Sequence, residues 1–415
     1  MQPAVYAIAT MDTKGIELEF IAQRLRDAGV TVRSVDVGTL GPPVVVPDVT
    51  RDVVLGSSAA PGTEDRGAAV TAMGAALTQY LVCECERGVV AGVLGIGGSG
   101  GTAIITAAMR QLPVGLPKLM VSTMASGNTA PYIDCSDITM MSSVVDVAGL
   151  NAVSRRIFSN AAHAMAGMVR HPIPASRVRP TLGMTMFGVT TPCVTAVRQE
   201  LERAGYDCLV FHATGTGGRA MEQLVRSGLI QGVVDITTTE VADEVVGGVL
   251  AAGPARFDAL LEQRIPLVLS LGAVDMVNFG GRETIPEPFR NRLLHVHNPQ
   301  VTLMRTTPQE NRQIAHWITT KLNRSTAPLT LVIPQGGVSA LDAPGQPFHD
   351  PAANQALFDE LRNTFQETAL RRLVWSPHHI NDPKFAATLL SEFEAITGRT
   401  SLQDDTYSET SPPVA

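Results

Sequence analysis

The sequence predicts an α/β protein of two Rossmann-like, doubly wound parallel-sheet domains related by internal duplication. Three observations carry that expectation. Short apolar runs alternate with segments of helical periodicity along most of the 415 residues. Glycine is abundant at 37 residues while aromatic residues make up only 5%, a composition suited to many tight turns around a sheet. Gly92-Val93-Leu94-Gly95-Ile96-Gly97-Gly98-Ser99 also aligns without gaps to Gly232-Val233-Val234-Asp235-Ile236-Thr237-Thr238-Thr239, which marks one unit used twice. A chain this long exceeds one ordinary core. The expected divisions are 1–175, 176–400 and a flexible tail at 401–415.

Taken in order, 5–9 reads as a buried strand, followed by a helix from about Gly15 with Leu18, Ile21, Leu25 and Ala28 on one face. Gly29 ends that helix and 31–37 is the next strand. The Pro- and Val-rich stretch 41–62 is an irregular excursion, and a long helix covers 64–87. Then come a strand at 89–94, a glycine run opening a helix to Met109, a strand at 118–121, a polar loop at 122–137 and a helix at 147–169. The stretch 171–180, rich in Pro, reads as a junction.

The pattern then restarts. A strand is expected at 181–187, with Thr191 and Pro192 opening a helix at 193–204 and a strand at 208–211. The stretch 232–239 repeats the strand-to-turn pattern of 92–99, and later strands are expected at 267–269, 329–333 and 373–375. Thr307-Pro308-Gln309-Glu310 is a capping box, and Asp350 and Asp382 precede proline as helix caps. His316 lies within a helix beside Trp317.

Composition narrows the function. A net charge of −7 gives no support for a nucleic-acid surface. No uninterrupted apolar run has transmembrane length, and the N-terminus lacks a basic-then-apolar signal pattern, so no membrane partner is expected. Five cysteines without zinc-type spacing predict a reduced, cytoplasmic protein with no metal site. Cys193, near a helix start, is either a thiol of lowered pKa or a packed one.

The octet Gly95-Ile96-Gly97-Gly98-Ser99-Gly100-Gly101-Thr102 is the strongest chemical signal. A strand that ends in a glycine-rich turn at a helix start points backbone N–H groups at an anion, commonly phosphate. Gly95-x-Gly97-x-x-Gly100 matches the dinucleotide spacing, but it follows at least two earlier strands and no carboxylate stands about twenty residues on. The Walker pattern fails as well, because Gly101 stands where its lysine belongs. A loop that merely lets a helix pack closely on a strand is the competing reading.

Other segments converge on the same edge, because the C-terminal strand ends of a parallel sheet lie together. Thr13 and Lys14 follow the first strand, Thr39 the second, and Thr123, Ser126, Gly127 and Asn128 the strand after the glycine run. Lys14 is one of only four lysines among 32 basic residues. Asp12 competes as a helix N-cap. Arg66 is either a phosphate clamp or a solvated arginine. In the second half, Glu240, Asp275 and His297 are the acid–base candidates, beside a glycine–threonine loop at 214–219.

These strings, with Met11-Asp12-Thr13-Lys14-Gly15, Ser136-Asp137, and Val145-Asp146-Val147-Ala148-Gly149-Leu150-Asn151, resemble the ATP-binding family of the tomato mosaic virus resistance protein. So do Gly188-Val189-Thr190-Thr191-Pro192 and His212-Ala213-Thr214-Gly215-Thr216-Gly217-Gly218 in the second half. The resemblance implies two Rossmann-like subdomains, homodimers, and an ATP site in the first half. It places contacts at Thr13, Lys14, Arg66, Gly97, Gly98, Ser99, Gly100, Ser126, Gly127 and Asn128. The plant members carry a further barrel domain that this chain lacks, so its activity is not carried over.

The resulting expectation is an ATP-binding protein, with Mg²⁺, that acts from an interdomain cleft on a small acidic or hydroxylated metabolite. A non-catalytic nucleotide sensor and a sugar-phosphate enzyme without a true ATP site are the alternatives.

Overall fold

Fourteen strands and thirteen α-helices make up the described part of the chain, which is residues 2–56, 65–171 and 179–398 of a computed structural model. The chain divides into two units, Met1–Ser176 and Arg177–Ala415. Residues 57–62 of the expected excursion, the helix start at 64, the junction core 172–178 and the tail at 401–415 lie outside the described residues.

In the first unit β1 is Ala4–Ala9, α1 Met11–Asp27, β2 Val32–Asp36, α2 Arg51–Leu55 and α3 Arg66–Glu86. They are followed by β3 Val90–Gly97, α4 Ser99–Met109, β4 Lys118–Ser122, α5 Ala130–Ile133, β5 Thr139–Ser142 and α6 Ala152–Arg170. All sheet pairs are parallel, in the order β2-β1-β3-β4-β5. That order places a topological switch between β1 and β3, where α/β sheets bind ligands beyond the strand ends.

Both sheet faces are apolar because both are covered. Along β1, Ala4, Tyr6 and Ile8 join Met73, Leu77 and Ile104 of α3 and α4, while Val5, Ala7 and Ala9 join Leu18 and Phe158 of α1 and α6. Helix α3 is long and apolar enough, by length and composition, to cross a membrane. Its apolar character is accounted for by the burial of Met73, Leu77 and Leu81 in this core.

Two boundaries differ from the sequence reading. Helix α1 starts at Met11, not Gly15, and breaks at Lys14 (φ −124°, ψ 16°). The helix expected from 147 starts at Ala152, because Asn151 and Ser154 form a capping box there. The polar segment before it holds the unexpected edge strand β5.

The second unit comprises β6 Thr181–Met186, α7 Thr191–Arg203, β7 Asp207–His212, α8 Thr216–Arg226, β8 Gly232–Thr237, α9 Thr239–Val246 and α10 Asp258–Glu262. It continues with β9 Leu267–Gly272, β10 Met276–Phe279, β11 Leu294–Asn298, β12 Val301–Arg305, α11 Pro308–Leu322, β13 Leu329–Pro334, α12 Pro351–Thr364, β14 Arg371–Ser376 and α13 Pro383–Thr397. Its main sheet runs β14-β13-β9-β8-β6-β7, so β7-β6-β8-β9 repeats the order of β2-β1-β3-β4.

The register carries the repeat to single residues. Val93 pairs with Lys118, the first residue of β4, and Val233 pairs with Leu267, the first residue of β9. Gly92 pairs with Val5 and Gly232 with Leu182, each the second residue of its strand. The gapless sequence alignment is therefore a structural equivalence up to Gly95 and Asp235, beyond which a bulge pairs Thr237 with Gly272 where Gly97 pairs with Ser122. An antiparallel sheet, β10-β12-β11, is an addition that the sequence reading lacks. The expected loop at 214–219 is also shortened, since α8 begins at Thr216.

Candidate functional site

Beyond the C-terminal ends of β1, β2 and β3 lies a cavity of about 270 Å³. Its wall carries Thr13 and Lys14 from the kinked start of α1, Thr39 from the loop after β2, Arg66 from the start of α3, and Gly98, Ser99 and Gly100 at the start of α4. Seven residues expected from scattered segments thus meet at the β1/β3 switch.

The glycine run divides into packing and open positions. β3 continues to Gly97, three residues past its expected end. A Cβ on Gly95 would lie 2.6 Å from Met120 Sδ and 2.7 Å from Ile105 Cγ2, and one on Gly97 would lie 3.0 Å from Gly101 Cα. These two glycines let α4 sit on the sheet. At Gly98 the nearest atom to such a Cβ is Thr123 Oγ1 at 3.9 Å, and at Gly100 it is Val70 Cγ2 at 3.8 Å. Those positions are open.

Gly98 is also the N-cap of α4 and has no side chain with which to cap it. The first intrahelical bond runs from Thr102 N–H to the Gly98 carbonyl, 2.9 Å. The N–H groups of Ser99, Gly100 and Gly101 have no acceptor among the described residues, which leaves the positive end of the helix turned to the cavity. The Thr102 hydroxyl donates to the same carbonyl (2.7 Å) and meets Ser122 Oγ at 2.6 Å, tying α4 to β4.

Two carboxylates hold the neighbouring loops. Buried Asp36 accepts N–H bonds from Met11 (3.0 Å) and Gly38 (2.8 Å) on Oδ1, while Arg51 Nε donates to Oδ2 at 2.8 Å. Asp12 Oδ2 accepts from Leu40 N–H (3.0 Å) and Gly41 N–H (3.3 Å). Asp12 is therefore a tie to the loop after β2 instead of the helix N-cap considered from sequence. Neither Lys14 nor Arg66 has a carboxylate partner among the described residues. Lys14 is half-buried and Arg66 exposed.

Some expected residues stand apart. Gly97 is within β3, and Thr123 sits beside Gly98 with its N–H directed to the Gly97 carbonyl at 3.4 Å. Ser126, Gly127 and Asn128 form an exposed turn away from the cavity wall, where Asn128 Oδ1 accepts from Ala130 N–H. Asp146, which the sequence analysis held only within a family string and not as a site residue, also lines the cavity. It follows β5, so the missed strand hid its position.

The second-unit candidates are built differently. Glu240 is fully buried, and its Oε1 accepts the Gly215 and Gly218 N–H groups (2.7 and 3.0 Å) at the start of α8. Its Oε2 meets Arg256 Nε at 2.9 Å. The same guanidinium reaches Asp235 Oδ2 at 2.6 Å and Glu222 Oε1 at 3.1 Å. Burial lowers the proton affinity of Arg256, but Asp235, Glu240 and Glu222 more than reverse this and hold it above its ordinary range. Burial raises Glu222, against the pull of Arg256.

Asp275 is fully buried, with Oδ2 accepting from Ser339 Oγ at 2.8 Å and Oδ1 without a hydrogen-bond partner among the described residues. Burial pushes it up to about 7, Arg305 opposing and Asp342 assisting. Asp243, likewise buried, rises to about 7 although Asn278 and Leu250 donate to it. His297 is exposed on β11. Cys193 is buried and pushed up to about 12, so the lowered-pKa option fails and the packed thiol stands. Among the described residues no group of three or more His, Cys, Asp or Glu side chains is placed to hold a metal ion.

The N-terminal and C-terminal domain models of the uncharacterised protein family UPF0261 match residues 3–174 and 179–397. A UPF0261 protein of Rhizobium meliloti is 53% identical over 397 residues, covering 94% of this chain and 98% of that one. The ToMV resistance protein Tm-1(GCR237) of Solanum lycopersicum is 47% identical over 423 residues; the match covers 95% of this chain but only 56% of the plant protein. Among solved structures, the UDP-N-acetylglucosamine 2-epimerase of Rickettsia bellii overlays with a TM-score of 0.23 at 10% identity, covering 96% of each chain.

Proposed function

The chain belongs to the UPF0261 family, and from the open cavity of its N-terminal unit we propose that it binds ATP, with Lys14, Arg66 and the first-turn amides of α4 holding the phosphates. One observation carries this reading: two cations without carboxylate partners and three N–H groups without acceptors, among the described residues, surround one cavity. Unmatched positive charge and uncapped helix amides are what a phosphate group satisfies.

A volume of about 270 Å³ lies just below the usual range of about 300–1,000 Å³ for small-molecule sites. The cavity thus takes the phosphates and sugar, with the base outward against Leu40, which is 65% exposed. Asp146 is the one wall carboxylate without a partner among the described residues. Mg²⁺ therefore enters on the phosphates and not in a protein cage. The nucleotide serves a reaction on a small acidic or hydroxylated metabolite, in a cytoplasmic homodimer.

A non-catalytic sensor is the second reading, and the locking of Glu240 by Arg256 and two backbone amides favours it. Calorimetry with ATP, ADP and NAD tests the binding. ATP is expected to bind and NAD not to, with a Lys14→Ala, Gly98→Val double variant weakened about tenfold or more. No ATP binding, or an unchanged affinity in that variant, overturns the reading. Nucleotide hydrolysis with and without added metabolite pools separates enzyme from sensor.

A further inference from the structure

The cavity holds a group that a bare phosphate site would avoid. Asp146, an exposed residue, lines the same cavity as Lys14, Arg66 and the start of α4, yet among the described residues it forms no ion pair with either cation. A carboxylate in a phosphate pocket repels the ligand it shares the space with. It is useful there if it faces a part of the ligand that donates hydrogen bonds, or a cation carried on the phosphates.

The backbone around it is held in place. Val144, a β-branched residue, adopts φ +62°, a left-handed conformation that costs such residues energy. That turn is fastened on both sides: Val144 N–H donates to Ser142 Oγ at 3.2 Å, and Ser143 Oγ donates to the Val145 carbonyl at 2.6 Å. Three residues past Asp146, Gly149 N–H donates to the buried Glu17 of α1 at 2.6 Å. The segment therefore crosses back from β5 to α1 with Asp146 between two anchored points. Thr10, Thr13 and Thr39 line the same cavity.

We propose that Asp146 is a specificity-determining residue which accepts hydrogen bonds from the sugar hydroxyls of the phosphorylated ligand, so that the cavity selects a phosphate attached to a hydroxylated ring. This rests on the phosphate reading of the same cavity and adds the class of group beside the phosphate. The arrangement divides recognition in two: cations and amides take the anion, while the carboxylate and threonine hydroxyls take the polyol. A hydroxyl bound to a carboxylate is a charge-assisted contact, stronger than one to a neutral acceptor.

The test compares wild type with Asp146→Ala and Asp146→Asn by calorimetry, using ATP, 2′,3′-dideoxy-ATP, ribose 5-phosphate and inorganic phosphate, each with Mg²⁺ and with a chelator. Circular dichroism confirms that each variant folds. Asp146→Ala is expected to weaken ATP and ribose 5-phosphate about tenfold. It should leave dideoxy-ATP unchanged, and inorganic phosphate unchanged or tighter. Asp146→Asn, which keeps a neutral acceptor, should recover part of the loss. Equal weakening of ATP and dideoxy-ATP overturns the inference, and so does a loss that appears only with Mg²⁺, which would make Asp146 a metal ligand. If wild type binds none of the phosphorylated probes, the phosphate reading falls and this inference with it; if it binds them without discriminating sugars, only this inference falls.

Discussion

The turn after β3 and the turn after β8 occupy the same place in two copies of one sheet, and they have opposite contents. Gly95 corresponds to Asp235, Gly97 to Thr237, Gly98 to Thr238 and Ser99 to Thr239. In the first unit the missing side chains let α4 approach the sheet and leave its first amides facing a cavity. In the second unit every replacement is fully buried and partnered inside the protein. Thr237 Oγ1 meets Thr190 Oγ1 at 2.7 Å, Thr238 Oγ1 donates to the Ser270 carbonyl at 3.0 Å, and Asp235 joins Arg256. Glu240, in the first turn of α9, turns its carboxylate to the amides at the start of α8, the helix after β7. One copy leaves the turn after its third strand bare and open, and the other fills the same turn with buried, hydrogen-bonded side chains.

The comparison can be broken at its strongest point by removing Arg256. Arg256→Met leaves Asp235, Glu240 and Glu222 buried without their cation, so a loss of about 3–5 kcal/mol in urea unfolding is expected. A loss below about 1 kcal/mol would mean that these carboxylates are not held as a structural unit.

The next test moves second-unit residues into the first. Gly98→Thr meets open space and should fold normally, yet lower ATP affinity about tenfold by filling the cavity mouth. Gly95→Asp meets Met120 and Ile105 and buries an unpaired carboxylate, so it should cost about 3 kcal/mol or more. If the two variants behaved alike, the division into packing and open glycines would be wrong.

The smallest effect concerns pH. Asp243 and Asp275 have folded pKa values of about 7, above the value near 4 of an unfolded aspartate. Their protonated forms are favoured by folding, so this contribution is full below about pH 4 and is lost as pH rises through 7. The melting temperature of Asp275→Asn should accordingly fall less than that of wild type between pH 4 and 7. Parallel profiles would remove Asp275 from this role.

Much of this contrast is legible in the sequence. The gapless octet alignment needs only strand periodicity and a shared turn, both local, and the sheets pair Val93–Gly95 and Val233–Asp235 in equivalent registers before a bulge shifts Thr237. Capping is also local, and Thr307, Asp350 and Asp382 cap as their spacing indicates. The edge strand β5 has four residues without clear alternation, and with it went the position of Asp146. The sheet β10-β12-β11 spans residues 276–305 with a long intervening segment, so its pairing is a tertiary choice. Glu240 looked like an acid–base group because sequence shows its charge. Its partners Gly215, Gly218 and Arg256 lie 16 to 25 residues away and meet it only in the fold.

Asp36 has a consequence for the cost of binding. Its single carboxylate draws together the start of α1, the loop at Gly38 and the side chain of Arg51. Gly38 is pressed so closely between Arg51 and Asp12 that a Cβ there would lie 2.5 Å from Arg51 Nη2. The loops that carry Lys14 and Thr39 are thus ordered when the chain folds. A ligand entering between them finds walls already in position, and the entropy of arranging those walls is not subtracted from its affinity.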